Sequence, residues 1–336
     1  MKLTTEFSRA PFIHYQESTR TLMIDVILPL LTIYAMAYYH YGPRVVLLGG
    51  SGILSALFAD VAGTLISRGK PHIRDLSPVV TGMIVSLLMP ASVPLYVPVI
   101  AAAFGILVAK HPFGGLGHNI FNPAAAGFAF VAICFPEKLF AYPAPNIWLP
   151  LSIPVDQAVQ NSPAFTLNLG GLPTYEAVEL VLGNFPGPMG ATNILVILAC
   201  LLFLLFRGTV RWETPVVFLL TTAVIAFFYP RADISGSQSV LYELAGGFLL
   251  FGGVFMLGDP VTSPIRSWVK ALHAALAGVM VMLFRRAGNL EDGFLFALLV
   301  LNVTVWGFDM TGEQLARAIR RKKIGAVNRK EVQKKT

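Results

Sequence analysis

Long apolar runs with few charges inside them constrain the fold of this chain more than any other feature. A helix that spans a bilayer needs about 20 mostly apolar residues, and ten runs in the sequence reach that length or form interrupted versions of it. Only 13% of the 336 residues are charged, about half of the roughly 25% that is typical of soluble domains. The sequence therefore predicts an all-α membrane protein with about ten transmembrane helices. The predicted spans are Leu22–Tyr41, Val45–Ile66, Val79–Met89, Leu95–Ala109, Ile120–Phe135, Ala191–Phe206, Pro215–Tyr229, Val240–Leu257, Trp268–Leu283 and Gly293–Phe308.

The distribution of Lys and Arg predicts how these spans are oriented. With ten spans and both termini cytoplasmic, 20 of the 25 basic residues fall in cytoplasmic segments and five in external ones. Cytoplasmic segments of membrane proteins carry such an excess. Nine of the cytoplasmic residues lie between Arg317 and Lys335. The net charge of +7 therefore indicates contact with the surface of the lipid bilayer and no nucleic-acid partner.

The order of the spans divides the chain into four predicted regions. Residues 1–135 form a first five-helix repeat that begins with a cytoplasmic arm, and residues 136–189 form a long external loop. Residues 190–310 form a second five-helix repeat, and residues 311–336 form a basic cytoplasmic tail. Each half contains short, interrupted apolar segments, a pattern that favours an inverted repeat with a binding site near the bilayer midplane.

Four short motifs combine Gly, Pro and polar residues inside or beside the apolar runs. Irregular backbone is tolerated at membrane depth only where protein or a lined cavity satisfies its polar groups. One interpretation is a cofactor or ion site at broken helices, and the other is a set of helix ends with capping residues. The motifs are Arg74–Gly82, His118–Ala125, Gly183–Asn193 and Gly258–Pro264, and their polar members include Thr81, Asn119, Asn122, Thr192 and Thr262.

Four carboxylates fall in or beside the predicted spans: Asp25, Asp60, Glu243 and Asp259. Placing a carboxylate in a bilayer costs about 2.5–3.5 kcal/mol on insertion scales, so a functional role is the default hypothesis. Asp25 and Glu243 could instead be hydrated near the interfaces. We predict that Asp60, Asp259 and Asp25 are linked to a moving ion, together with Asn122. The two cysteines lie far apart in sequence, so no metal or iron–sulfur site is predicted within this chain.

Taken together, these motifs resemble the family of the RnfD subunit of Rnf electron transport complexes (the NqrB/RnfD family), whose relative is the NqrB subunit of the sodium-pumping NADH:quinone reductase. The resemblance covers nearly the whole chain, and its length and short amino-terminal arm are similar to those of RnfD. The matching segments are Ser8–His14, Thr21–Asp25, Leu76–Gly82, Asn119–Ala124, Leu182–Thr192, Val210–Trp212 and Asp259–Pro264.

The resemblance implies a fold and a function. It implies ten spans in two inverted repeats of urea-transporter-like architecture, in the cytoplasmic (inner) membrane of a bacterium or archaeon. It also implies an FMN cofactor, with room for a second flavin such as riboflavin, that relays electrons between ferredoxin- and NAD-linked partners while Na⁺ or H⁺ is translocated. The implied partners are an external flavin subunit, membrane iron–sulfur subunits, a cytoplasmic NAD-binding subunit and a flavin transferase. The chain would then be one component of a translocase and not a stand-alone enzyme.

The sequence departs from the family where FMN is usually attached, at a Thr that ends a Ser/Thr-Gly-Ala-Thr motif in the external loop. Counting from Asp156, that position is Ser162, followed by the expected Pro163, but the preceding Gly-Ala is absent. Thr192 follows Gly190 and Ala191, although its surroundings match a different family segment. Covalent FMN on Ser162, covalent FMN on Thr192 and FMN held without a covalent bond all stay open. In the last case Thr81, Asn119, Asn122 and Thr262 would contribute to the site, with Phe121 beside the ring.

Two other functions are compatible with the same sequence. The first is a channel or transporter for a small polar solute, built on the same repeat architecture. The second is a structural scaffold that has lost its cofactor site, an interpretation that the missing Gly-Ala-Thr supports. A flavin absorption spectrum of the purified protein separates the redox subunit from both.

Overall fold

The computed structural model describes residues 18–68, 75–151, 161–288 and 292–335, with side-chain surroundings as far as residue 318. The segment Ser8–His14, Arg74, Asp156 and most basic side chains of the tail lie outside this part of the chain. The described residues form α-helices joined mostly by short connections. Their bounds are α1 Thr19–Tyr41, α2 Arg44–Arg68, α3 Ser77–Leu87, α4 Tyr96–Phe104, α5 Pro123–Cys134, α6 Pro136–Leu139, α7 Pro163–Asn168, α8 Ala177–Leu182, α9 Ile194–Arg207, α10 Glu213–Phe228, α11 Gly236–Ala245, α12 Leu249–Phe255, α13 Ser267–Ala287 and α14 Phe294–Lys335.

Every predicted span coincides with a helix or a pair of helices, but they differ in length. Among the described residues, five helical segments are long and apolar enough to cross a membrane, and a sixth is possible if the bent pair α11–α12 counts as one span. The helices α3, α5, α9 and α10 are apolar but shorter. The structure therefore agrees with a multi-pass membrane protein and identifies five or six complete spans by length. The five are α1, α2, the segment Tyr96–Phe113, α13 and α14.

Local sequence explains where several of these helices begin and end. The side chain of Ser18 accepts a hydrogen bond from the Thr21 backbone N–H at the start of α1. Asn193 caps α9 in the same way. Such caps satisfy backbone donors that a helix leaves unpaired at its first turn. At the other end of α9, Gly208 adopts a φ of 73°, a left-handed conformation that favours glycine.

The two ends of the helix bundle carry different features. The end where α1 begins, the amino face, also carries the end of α2 and the start of α3. The opposite end, the loop face, carries the connection between α5 and α9; there His40 at the end of α1 hydrogen-bonds Asn146 of that connection. Arg44 at the start of α2 is fully buried on the loop face, where it donates to the carbonyl oxygens of Ala91 and Val93.

Close backbone contacts set the spacing of helices near the amino face. A Cβ added to Gly105, just after α4, would lie 2.2 Å from the carbonyl oxygen of Pro123 at the start of α5. A Cβ added to Gly127 in α5 would lie 2.2 Å from the carbonyl oxygen of Ala101. Only glycine permits the two backbones to approach this closely.

The break between α11 and α12 bends the pair by 59° and lies on the loop face. It passes through Gly246 and Gly247, and Gly247 has a φ of 68°. A broken helix leaves backbone groups unpaired, and at membrane depth these need partners. Arg285 donates to the carbonyl oxygen of Gly246 at 2.7 Å, and the carboxylate of Asp292 accepts from the backbone N–H of Phe248. The charged side chains thus cap both new helix ends.

Those side chains belong to a larger ionic group, which we call the loop-face network: Arg231, Glu243, Arg285 and Asp292. Arg285 donates to the Glu243 carboxylate at 2.7 Å and to that of Asp292 at 3.2 Å. Arg231 also pairs with Glu243. All four side chains are at most 5% exposed. The network is therefore a sealed part of the fold, and the alternative prediction that Glu243 is a hydrated interfacial acid was wrong.

Candidate functional site

A narrow cleft opens between α1, α3, the head of α5 and the segment that follows α12. Its volume is about 90 Å³. Four residues predicted from the motifs line it: Thr81, Asn119, Asn122 and Asp259. The fold thus brings three of the four sequence motifs to one place, although they are far apart along the chain.

Two asparagines form the polar wall of the cleft. The side chain of Asn122 accepts hydrogen bonds from the backbone N–H groups of Ala124 at 3.0 Å and Ala125 at 3.2 Å, so it caps α5. Asn119 is 6% exposed and donates to the carbonyl oxygen of Phe121. Its Oδ1 has no hydrogen-bond partner among the described residues. A buried acceptor without a partner costs free energy, so this oxygen is available to a hydrogen-bond donor or a cation.

Asp259 faces the cleft from the segment after α12. Its carboxylate accepts hydrogen bonds from the hydroxyl of Thr262 at 3.0 Å and from the backbone N–H of Val261 at 3.5 Å. Burial raises the pKa of this carboxyl above its ordinary value, and these hydrogen bonds oppose the increase only in part. Asp259 is therefore a group that can bind a proton more readily than a hydrated aspartate. Thr262 is buried and supports Asp259 rather than lining the cleft.

A wider polar cavity of about 310 Å³ adjoins the cleft at the amino face. Its walls carry an ionic group that we call the amino-face cluster: Asp60, Asp75, Lys110 and His111. The Lys110 ammonium lies 2.9 Å from an oxygen of Asp60 and 3.0 Å from an oxygen of Asp75. The Nε2 of His111 lies 2.9 Å from the same oxygen of Asp60. Asp60 is therefore the meeting point of two basic side chains beside an open space.

An irregular helical turn presents Lys110 and His111 to this cavity. Residues Gly105–Lys110 form a π-helical turn that continues α4, and His111–Phe113 form a 3₁₀ turn. Turns of the π type are rare in helices and are frequent at functional sites. The His111 ring packs on α2 at Gly63, where an added Cβ would lie 2.3 Å from the ring. The absence of a side chain at Gly63 therefore permits the position of His111.

Asp75 is charged under ordinary conditions. Burial alone would raise the pKa of its carboxyl, but the positive charge of Lys110 and hydrogen bonds from Ser77 outweigh burial and hold that pKa below its ordinary value. The Ser77 backbone N–H and hydroxyl each donate to Asp75 at 2.8 Å. Asp75 therefore fixes the start of α3 as well as the Lys110 ammonium.

The remaining predicted ion-linked residue, Asp25, lines neither space, although Thr209, which donates to it, lines the cleft. Its carboxylate accepts two hydrogen bonds from Arg207 at 3.1 Å and a third from Thr209 at 3.3 Å. Asp25 is 6% exposed, whereas the Arg207 side chain is 46% exposed. The contact joins α1 to the end of α9, so its visible role is to hold two helices together.

The two candidate attachment residues for flavin lie in separate places on the loop side of the chain. Ser162 caps the short helix α7, its hydroxyl accepting from the Phe165 backbone N–H at 3.1 Å, and it is 3% exposed. Thr192 is 2% exposed and precedes Asn193, the cap of α9. The crevice beside Thr192 has no measurable volume. Gln160 and the other residues just before Asn161 lie outside the described part of the chain.

These observations test the fit of a flavin. Pockets that hold ligands of this size have volumes of about 300–1,000 Å³, whereas the cleft between the broken segments has about 90 Å³. The hydroxyls of Ser162 and Thr192 are both buried. In this conformation the cleft and the two hydroxyls do not fit an isoalloxazine ring and its phosphate. The cleft fits a few water molecules or a small cation.

Several residues of the site did not stand out in the sequence. Lys110 follows an apolar run and counts only as one more cytoplasmic charge, and Asp75 is one member of a longer motif. Their meeting with Asp60 depends on the packing of α2, α3 and the π-helical turn. One signal was present, since His111-Pro112 directly after Lys110 interrupts a helix that would otherwise continue.

Comparison with known proteins gives a consistent result. A family model described as the NQR2, RnfD, RnfE family matches residues 6–315. The chain is 27% identical to the D subunit of the Na⁺-translocating ferredoxin:NAD⁺ oxidoreductase complex of Acetobacterium woodii, over 90% of this chain and 92% of that protein. It is 30% identical to the D subunit of the ion-translocating oxidoreductase complex of Cronobacter sakazakii, over 88% of this chain and 94% of that protein. The protein of the same description from Salmonella enteritidis is also 30% identical, over 88% of this chain and 93% of its own length.

Proposed function

The chain belongs to the NQR2, RnfD, RnfE family, and we propose on this basis that it is the membrane subunit of an ion-translocating electron-transport complex of the Rnf type. Its relatives of nearly equal length are named as the D subunit of such complexes. The apolar helices match a membrane subunit. The observation that carries the proposal is the match of 6–315 to the family, because it includes every motif that lines the cleft.

The part of this function that the structure supports best is ion movement. Asp60 lines the cavity, and Asp259 and Asn122 line the cleft, so all three side chains lie beside open space. Most polar groups in the interior of a membrane protein are instead packed against other protein groups. Carboxylates at membrane depth mark ion and proton pathways. The proposed ion pathway also includes Asp25, which lies near the start of α1, although Arg207 donates hydrogen bonds to both of its carboxylate oxygens.

The decisive experiment is ion transport by the reconstituted complex with Asp60→Asn in this chain. We expect electron transfer that moves fewer Na⁺ or H⁺ per electron than the unchanged complex. The matched control is Asp233→Asn, which removes an exposed carboxylate of the connection between α10 and α11. An Asp60→Asn complex with unchanged rate and coupling ratio would remove Asp60 from the ion pathway.

FMN remains a separate proposal for this protein, with Ser162 as the favoured attachment and Thr192 as the second. The support is the family resemblance and the fact that Ser162, like the Thr at which the family usually attaches FMN, carries a hydroxyl. Because the hydroxyls of Ser162 and Thr192 are buried, attachment at either one requires a local rearrangement. The intact mass of the purified protein tests the proposal, since a phosphoester adds the mass of FMN and Ser162→Ala removes it. If the added mass survives that change, Thr192→Ala locates it, and a chain without added mass carries no covalent FMN.

A flavin held without a covalent bond would leave the mass unchanged. Thr81, Asn119, Asn122 and Thr262 would then belong to its site after the cleft widens, and a second flavin such as riboflavin is compatible with this arrangement. Flavin fluorescence released from the purified protein by denaturation, with no mass increment, is the expected result for this case.

The architecture proposed is ten helical segments in two inverted five-helix repeats, with residues 1–135 and 190–310 as the halves. The packing supports it: α2 contacts α3 and α4, and α4 contacts α5; in the other half α10 contacts α11 and α13, and α13 contacts α14. The external loop of 136–189 and the basic tail of 311–336 complete the proposed division. Contacts between α1 and α9 and between α5 and α14 join the halves.

The proposed orientation places both termini in the cytoplasm of a bacterial or archaeal cell, so the amino face is cytoplasmic. Single cysteines test it in a chain that lacks Cys134 and Cys200. Trp148→Cys reports on the loop face and Ile265→Cys on the amino face, and both native side chains are well exposed. An impermeant maleimide added to whole cells should label only the first. Labelling of the second alone would reverse the orientation.

The proposed partners are the other subunits of the complex: an external flavin subunit, membrane iron–sulfur subunits and a cytoplasmic NAD-binding subunit, with a flavin transferase as a transient partner. Affinity purification of the tagged chain in mild detergent should recover the stable subunits together. A channel or transporter for a small polar solute is the second candidate, and the small volume of the cleft, with Asn119, Asn122 and Asp259 in its lining, favours it over a flavin relay. A flavin-free, partner-free protein that conducts a solute in liposomes would establish that alternative.

A further inference from the structure

One side chain lies between the two open spaces of the amino face. Lys110 lines the cleft that carries Asp259 and also the wider cavity that carries Asp60. Leu116 is the other residue common to both linings. The wall between the spaces therefore includes one apolar and one charged side chain, and Lys110 is only 3% exposed.

Three oxygen atoms hold the Lys110 ammonium in that wall. Asp60 and Asp75 accept from it on the side of the cavity, at 2.9 and 3.0 Å, and the Ser77 hydroxyl accepts at 2.7 Å. Ser77 itself lines the cleft. The three protons of the ammonium are thus fully used, and the side chain is fixed as a positive charge at the junction.

The backbone supports this position from both sides. The π-helical turn ends at Lys110, and Gly105 at its start is in close contact with Pro123 at the head of α5. Beyond the junction, Asn119 lines the cleft, and its buried Oδ1 has no partner among the described residues. A built-in cation thus separates a wide polar cavity from a narrow space with an unsatisfied acceptor.

We propose that the Lys110 ammonium is the gate between the cavity and the cleft, and that a cation crosses this junction only when the ammonium leaves Asp60 and Asp75. Two like charges that share a junction a few ångströms wide repel each other strongly in a medium of low dielectric constant. The ammonium thus excludes Na⁺ and hydrated protons while it is in place. Its movement toward the cleft frees the two carboxylates for the incoming cation. The inference rests on the proposed ion-translocating function and assigns Lys110 the role of a gating residue.

The test is passive cation flux through the assembled complex in liposomes, with a membrane potential set by valinomycin and no electron donor. Lys110→Met keeps a side chain of similar length and removes the charge, and we expect Na⁺ or H⁺ flux at least about tenfold above that of the unchanged complex. Separate sodium- and proton-sensitive dyes identify the ion. Lys110→Arg keeps the charge and should stay close to the unchanged complex. Lys138→Met, a lysine on the loop face, is the matched control.

A structural role for Lys110 predicts a different result. Loss of the ammonium would then lower the amount of assembled complex without raising the flux per complex. If Lys110→Met assembles poorly, the double variant Lys110→Met with Asp75→Asn replaces it. Asp75→Asn removes a carboxylate that loses Lys110, whereas Asp60 still contacts His111. The same flux measurement in this double variant then tests the gate. Flux at the level of the unchanged complex in an assembled variant would overturn the gate.

The same liposomes separate this inference from the proposed function. Electron donor added to the unchanged complex reports ion pumping, which is the proposed function. A complex that does not pump but leaks in Lys110→Met would reject the pumping role and keep the gate. A complex that pumps, with no leak in any charge-removing variant, would keep the function and reject the gate.

Discussion

The loop-face network and the amino-face cluster are built from the same chemistry and have different surroundings. The four side chains of the network are at most 5% exposed and include the partners of backbone groups at a broken helix. In the cluster, Asp60 and Asp75 are 14% and 20% exposed and face a cavity of about 310 Å³. The comparison teaches that buried charge occurs in two kinds of surroundings in this fold. Space beside the charge is the distinguishing feature.

The largest loss of folding stability should come from breaking the loop-face network. Arg285→Met removes the partner of Glu243 and Asp292 and leaves two buried carboxylates together with the carbonyl oxygen of Gly246. Removing one partner of a buried ion pair costs about 3–5 kcal/mol. We expect the protein to be nearly absent from the membrane, or to unfold at much lower denaturant when titrated with SDS in mixed micelles.

Arg286→Met is the matched control, because Arg286 is the next residue and is exposed. Its guanidinium lies over the ring of Tyr229 at 5.9 Å, an exposed contact worth about 0.5–1 kcal/mol. Equal losses for both variants would mean that the network contributes no more than a surface arginine.

The second largest loss of folding stability is expected from a change at Gly105, in the π-helical turn that carries Lys110 of the amino-face cluster. Gly105→Ala places a Cβ 2.2 Å from the carbonyl oxygen of Pro123, so α4 and α5 must separate or the π-helical turn must shift. Overpacking of this kind costs about 1–3 kcal/mol. Unfolding in mixed micelles measures the loss, and Gly50→Ala is the control because its added Cβ meets nothing within 4 Å. An undisturbed Gly105→Ala would show that the contact between the helices is loose.

The sequence predicts features that depend on residues close together along the chain better than features that depend on contacts between distant residues. Helix positions follow from apolar runs and local caps: Asn122 and Asn193 lie near the starts of predicted spans, and in the structure they cap α5 and α9. The lengths of single helices follow less well, since α3 and α5 are shorter than a bilayer is thick and depend on neighbours for their ends. The sequence predicted a cofactor or ion site at the broken segments, because irregular backbone in an apolar chain needs a partner, and residues of three of the four motifs line the cleft.

The pairing of charges was not predictable in the same way. Arg285 and Lys110 are both single basic residues in the sequence, yet one caps a helix break and the other lines both the cleft and the cavity. Glu243 and Asp60 are both acids in apolar surroundings, and only the three-dimensional packing decides which one has space beside it. Sequence patterns describe neighbours along a helix, whereas these contacts join residues from different helices.

The third largest loss of unfolding free energy is expected for Asp75→Asn, and it should depend on pH. Because the pKa of Asp75 is depressed in the folded protein, its carboxylate stabilises the fold above about pH 4, the ordinary pKa of Asp. That contribution is lost as the pH falls through the lower pKa of the folded state. Asp75→Asn should therefore lower the unfolding free energy by about 1 kcal/mol near neutral pH, since the pair is partly exposed. Unfolding in mixed micelles at several pH values measures whether the difference shrinks in acid; a constant difference would assign the loss to the hydrogen bonds of Ser77.

The smallest loss of unfolding free energy should come from breaking the pair of Asp25 and Arg207. This pair combines a nearly buried carboxylate with a partly exposed arginine. Asp25 is nearly buried and accepts two hydrogen bonds from Arg207, but that side chain is 46% exposed, so water can replace it. Partly exposed ion pairs contribute about 0–1 kcal/mol, and the Thr209 hydroxyl would still donate to Asp25 in Arg207→Met. We expect a loss within that range in mixed-micelle unfolding, and a similar loss in Arg207→Gln. A loss as large as that of Arg285→Met would show that the charge of Asp25 is stabilised as strongly as the sealed network, and exposure of the partner would no longer separate the two regions.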